Sequence, residues 1–278
     1  MKTRIITAIV GLLLLFGTML LFETPVFNLM LGIVSAIGTA ELLKAAGVKK
    51  FKPFYMIYPI FAGLLPFASF LPDERWTLLI GVAFVFAGLF LMLKFHESAD
   101  YAEYAVALCS SLLIGSDFSV FVCVRNMQAG LSVRVFYIFL IFCTAWLTDT
   151  FAYFSGRAFG KHKMAPKVSP HKTVEGAIGG VIGCVLIVVS LGFGYNAYAQ
   201  ANGIPPRADI LLLSAVALVL SVLGMLGDLT FSAIKRHYGI KDYGNIMPGH
   251  GGVLDRFDSV LFTAPALFLL LQFVQIIR

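Results

Sequence analysis

The sequence predicts an all-α, polytopic integral membrane protein, with about nine transmembrane helices and a polar, funnel-like site opening to the cytoplasm. Three observations predict it. Of the 278 residues, 59% are apolar and only 13% charged, a balance that belongs in a bilayer. The apolar residues fall in runs near the ~20 needed to cross ~30 Å of hydrocarbon as a helix. The charges collect in the connections, above all in residues 232–258.

The runs lie at 5–22, 26–43, 54–71, 76–94, 104–124, 133–156, 174–198, 209–230 and 259–277. Lys2 and Arg4 give the first a signal-peptide flank. Its apolar run exceeds the usual h-region and no A-x-A-like cleavage site follows, so it reads as a helix. The fifth is the weakest, since Glu103 and Asp117 flank or enter it. Loop charge arbitrates, because short cytoplasmic loops carry the Lys/Arg excess. With nine spans and the N-terminus inside, the cytoplasmic face receives Lys2, Arg4, Lys44, Lys49, Lys50, Lys52, Lys94, Arg157, Lys161, Lys163, Lys167, Lys172, Lys235, Arg236, Lys241 and Arg256. Those are 16 of the 21 Lys/Arg, leaving Arg75, Arg125, Arg134, Arg207 and Arg278 outside. Deleting the fifth span flips everything after it, giving 11 inside against 10 outside. Nine spans is the better topology, and the cell (inner) membrane is the expected location.

A net charge of +6 carried by loops beside the membrane matches anionic lipid head groups and not nucleic acid. The four Cys (Cys109, Cys123, Cys143, Cys184) all fall within apolar spans without a CxxC pair, as small buried hydrophobes do. Residues 1–130 form an N-terminal group of spans with few internal polar groups, suited to lipid access or a dimer contact. Their exceptions are Asp117 and Glu41, and the latter reads as an interfacial ion pair with Lys44 one turn on. Residues 131–278 form the region that carries the site, because polar residues gather at the cytoplasmic ends of their spans. An Asp within a span is costly and tends to line a polar cavity.

Three polar segments converge in this topology. Asp149 and Tyr153 share a helix face, and Gly156 and Gly160 let another backbone approach. Ser169-Pro170-His171-Lys172-Thr173-Val174-Glu175-Gly176 opens span seven, where hydroxyls, cations and free helical N–H groups suit an anion. A helix cap plus topogenic charge accounts for that segment equally well. In the third segment Asp228, Ser232 and Lys235 lie at i, i+4 and i+7, while Asp255 and Asp258 share a face if span nine begins near Val253. Converging carboxylates need a cation, and oxygen ligands favour Mg²⁺ or a similar hard ion. Local pairing with Arg256 or Lys241 explains the charges, but not the Gly-rich turn Pro248-Gly249-His250-Gly251-Gly252 beside them.

Ser232-x-x-Lys235-Arg236-x4-Lys241-Asp242-x-Gly244-x3-Pro248-x-His250-Gly251-Gly252-x2-Asp255-Arg256-x-Asp258 resembles the signature of the phosphatidate cytidylyltransferases, or CDP-diacylglycerol synthases. Asp149-Thr150-Phe151-Ala152-Tyr153, Gly156-Arg157-x-x-Gly160 and the SPHKTVEG stretch agree with it. Family members usually read SPKKTWEG there, so His171 and Val174 depart from the common form, and Met247 stands where a branched aliphatic is usual. The resemblance covers about residues 130–270 well. It implies the transfer of a cytidylyl group from CTP to phosphatidic acid, giving CDP-diacylglycerol and pyrophosphate. It also implies a membrane-embedded protein, a homodimer in the manner of family members, and no nucleic-acid partner.

On that resemblance Asp228, Asp255, Asp258 and, more weakly, Asp149 hold one or two Mg²⁺ (or Mn²⁺) ions. Lys235, Arg236, Lys241 and Arg256 screen phosphates. The glycine turn with Gly251 and Gly252 admits phosphate to backbone N–H groups, and His250 donates to it. Ser169, His171, Lys172, Thr173 and Ser232 take phosphates of CTP or of the lipid. Three rival readings carry less. A secondary transporter also puts acids in helices, but these charges cluster at one face and an odd span count gives no inverted repeat. A polyprenol or phytol kinase, from related families, has an alcohol acceptor and needs a general base. A non-catalytic lipid scaffold does not account for the paired acids.

Overall fold

The computed structural model describes residues 16–48, 52–98, 100–204, 207–246 and 251–278, with positions 11 and 13. Most of the first expected span, Lys49, Lys50 and His250 lie outside the described residues. The elements in chain order are α1 (Pro25–Ala45), α2 (Lys52–Leu64) running into a 3₁₀ turn (Leu65–Phe70), α3 (Glu74–Lys94), α4 (Tyr101–Arg125) and α5 (Leu131–Phe159). A hairpin of β1 (Lys163–Ala165) and β2 (Ser169–Thr173) follows, then α6 (Val174–Ala201), α7 (Ile210–His237), the single turn α8 (Leu254–Phe257) and α9 (Val260–Phe273). Among the described residues seven helices are long and apolar enough to cross a membrane, and α9 is a shorter apolar helix. The protein is thus an all-α, polytopic membrane protein.

The chain divides into two compact units, Met1–Arg125 with Tyr238–Arg256, and Asn126–His237 with Phe257–Arg278. The second half of the signature therefore belongs with the N-terminal helices.

In the first unit α1 packs on α2 and α4. Ser35 donates to the Ala62 carbonyl at 2.9 Å, and Asn28 to the Pro66 carbonyl at 2.6 Å, so these two buried polar groups of α1 are satisfied by the neighbouring helix and turn. Arg125 is buried, donating to Asn28 Oδ1 at 2.5 Å and lying 5.8 Å from the Phe27 ring centroid. The other end of this unit is closed by Leu43, Val48, Phe54, Tyr58, Tyr104 and Ala107. α3 shows Leu78, Phe86 and Phe90 outward, as a lipid-facing helix does.

In the second unit α6 packs most extensively on α5, then on α7. The hairpin corrects the expectation of a plain loop before span seven. Lys163 pairs with Thr173 and Ala165 with Ser169 in an antiparallel register. Span eight extends to His237, so Ser232, Lys235 and Arg236 are helical. Span nine is not one helix from 259 to 277. Asp258 Oδ1 accepts from the Ser259 N–H at 2.8 Å at the break between α8 and α9. Beyond Phe273 the chain is extended and pairs with the segment before α7: Arg207 and Arg278 exchange backbone bonds of 2.8 and 2.9 Å. The condition under which Asp255 and Asp258 share one helix face is therefore not met.

Candidate active site

Within the second unit, α7 supplies a polar stripe at its charged end. Ser232 and Lys235 are buried although hydrophilic, which requires partners close by. Ser232 donates to Asp228 Oδ1 at 3.2 Å, and Lys172 of β2 forms an ion pair with Asp228 Oδ2. Strand alternation sends His171 to the face opposite Lys172, and His171 is exposed. Thr173 caps α6, its hydroxyl accepting from the Gly176 N–H at 3.1 Å. Its side chain is buried where Gly156 and Gly160 leave room for it, so the capping alternative holds at this residue. Arg236 Nε donates to the Val168 carbonyl at 3.2 Å, tying the end of α7 to the hairpin turn. Glu175 accepts from the backbone N–H of Lys161 at 3.0 Å and sits 2.5 Å from His162 Nδ1, which fixes the entry to the hairpin.

Asp258 completes this cluster. Burial pushes its carboxyl up to about 8, and Asp228 and Asp149 add to the rise while Lys235 opposes it. Two further carboxylates and a lysine thus act on Asp258 inside one unit. Among the described residues no three His, Cys, Asp or Glu stand together as a preformed metal site. The acids suit instead an ion such as Mg²⁺, which binds through one or two carboxylates and takes its remaining ligands from substrate phosphates.

Within the first unit, Asp255 is buried and organises the glycine segment. Its Oδ2 accepts from the N–H groups of Tyr243 at 2.8 Å and Gly252 at 3.0 Å. Gly251 has φ +87°, a conformation that suits glycine. Lys241 and Arg256 are exposed.

Glu41 was not legible as a participant in this segment. Spacing on its own helix suggests Lys44, but its oxygens accept from the backbone N–H groups of Val253 and Leu254, at 3.0 and 2.8 Å. Partners more than two hundred residues away leave no local signal. The one available hint was a carboxylate inside an apolar span.

Fold and site together define a membrane-embedded helical protein with a carboxylate and cation cluster at the charged end of α7. A profile of the cytidylyltransferase family matches residues 2–274. The chain belongs to that family. It is 36% identical over 277 residues to a phosphatidate cytidylyltransferase of Staphylococcus haemolyticus, covering 98% of this chain and 99% of the relative. It is also 36% identical over 281 residues to a phosphatidate cytidylyltransferase of Bacillus subtilis, covering 98% and 97%. A Staphylococcus aureus phosphatidate cytidylyltransferase is 35% identical over 277 residues.

Proposed function

We propose that this chain transfers the cytidylyl group of CTP to phosphatidic acid, leaving CDP-diacylglycerol in the membrane and releasing pyrophosphate. The observation that carries the reading is the partly buried cluster of Asp228, Ser232, Lys235, Lys172 and Asp258 at the end of a membrane helix, in a chain similar along its whole length to phosphatidate cytidylyltransferases. A lipid phosphate oxygen attacks the α-phosphorus of CTP, and the bond from that phosphorus to the bridging oxygen of pyrophosphate breaks. A phosphate monoester is anionic near neutral pH, so no strong general base is needed. Catalysis rests on positioning and on neutralising charge.

Asp228 and Asp258 would hold Mg²⁺, and Asp149 is the weaker candidate ligand. The ion supplies charge neutralisation on the CTP phosphates. Lys172, which pairs with Asp228, would meet a phosphate bound beside that carboxylate. Lys235 and Arg236 steady the remaining negative charge. Ser169 and His171 are assigned to phosphate on the resemblance alone. Lys241 and Arg256 are assigned to phosphate on the signature alone, and Asp255 to ordering the glycine segment. The loop charges favour an orientation with the hairpin and the charged end of α7 at the cytoplasmic face, where CTP arrives.

The test supplies purified protein with phosphatidic acid, Mg²⁺ and CTP labelled at the α or the γ phosphate. The α label should enter lipid and the γ label should leave as pyrophosphate, with EDTA stopping both. Entry of the γ label into lipid would mean a kinase and overturn the reading. Full activity in EDTA would remove the metal from it.

A further inference from the structure

Glu41 is a carboxylate buried in α1, where an acid is costly unless fully partnered. Its two oxygens are each used: Oε1 accepts from Val253 N–H and Oε2 from Leu254 N–H. Two glycines wall the group. A Cβ on Gly252 would lie 2.5 Å from both oxygens, and one on Gly244 would overlap Oε1. Asp255 grips the same segment through Tyr243 and Gly252. Gly252 is therefore held by its N–H to one carboxylate and pressed by its α-carbon against another. A surface ion pair with Lys44 would need no glycine at either position.

We propose that Glu41 is a positioning residue for the cytidylyl transfer: it clamps Gly244 and Gly252–Leu254, so that Asp255 and Arg256 are presented in one geometry. A glycine-rich segment has much conformational freedom to lose, and two charge-assisted bonds from a rigid membrane helix offset that loss. The role in transfer rests on the catalytic reading above; the clamp itself does not.

Glu41→Gln keeps size and shape, but its amide nitrogen must face a backbone N–H, so one bond is lost. The variant should lose roughly 10- to 100-fold in kcat, with both KM values little changed. Glu41→Asp, which keeps the charge on a shorter stem, should recover part of that loss. Gly252→Ala should be severely impaired alone, yet add little in a Glu41→Ala background, because the oxygens it would strike are gone. Wild-type kcat in Glu41→Gln, or strictly additive losses in the double variant, would overturn the proposal. Amide hydrogen exchange over residues 251–255 of the substrate-free protein reads the clamp without the reaction, and should quicken in Glu41→Gln. Unchanged exchange in that variant, with an active wild type, sinks the clamp and leaves the catalytic reading standing. A wild type inactive on CTP and phosphatidic acid sinks the catalytic reading and the role in transfer, while faster exchange in Glu41→Gln would still support the clamp.

Discussion

Neighbouring residues on β2 meet different surroundings, and that separates their expected effects. Lys172 is half-buried and neutralises Asp228, whereas His171 stands exposed on the opposite face of the strand. Lys172→Ala leaves Asp228 with Ser232 as its remaining described side-chain donor and removes a cation meant for phosphate. Its kcat/KM should fall roughly 100-fold, and the substrate whose KM rises most identifies the anion it meets. His171→Lys should leave turnover within about twofold and share the wild-type pH profile, since the side chain is exposed on the strand face opposite Lys172. A limb of the pH profile that disappears in His171→Lys would show that the imidazole carries charge to a substrate. The i, i+4, i+7 stripe of Asp228, Ser232 and Lys235 was legible because helical spacing is local. Glu41 was not, because its acceptors serve backbone donors and any residue type at 253 and 254 provides those.

Helix against helix, α5 and α6 meet through small residues, as membrane helices do when backbones approach closely. A Cβ on Gly180 would lie 2.8 Å from the Thr148 carbonyl, whereas Gly194 on the same helix has open space around it. Gly→Ala within a helix is otherwise favourable by about 0.5–1 kcal/mol. Gly180→Ala should therefore destabilise by about 1–3 kcal/mol, while Gly194→Ala should be neutral or stabilising. Thermal midpoints in detergent check the pair, and equal midpoints would refute a close-packed α5–α6 seam. Seven of the expected spans were legible as long apolar helices because ~20 apolar residues is a physical length. The hairpin was not legible: strands of three and five residues carrying Pro170, His171 and Lys172 show no alternation of polarity. Nor was the end of span nine at Phe273, since hydropathy cannot see that the residues beyond it pair with the segment before α7.

At the scale of the whole chain, loop charge is the property that orients it. The net charge is +6, and the Lys/Arg excess falls in alternate connections, including the hairpin with Lys161, Lys163 and Lys167. Arg207 and Arg278 meet at the other end of the second unit, where the extended C-terminus pairs with the segment before α7. Positive loops stay inside, so the hairpin should face the cytoplasm and Arg207 the outside. The same orientation is chemically required if CTP is the donor, because the nucleotide is cytosolic and cannot cross hydrocarbon. Lys163 and Arg207 are both exposed and suit single-cysteine reporters. In a background with Cys109, Cys123, Cys143 and Cys184 replaced by Ala, Lys163→Cys should react with an impermeant maleimide only in inverted vesicles. Arg207→Cys should react in intact cells. Labelling of Lys163→Cys from outside intact cells would invert the topology and separate Lys172, Asp228 and Lys235 from the compartment that holds the nucleotide.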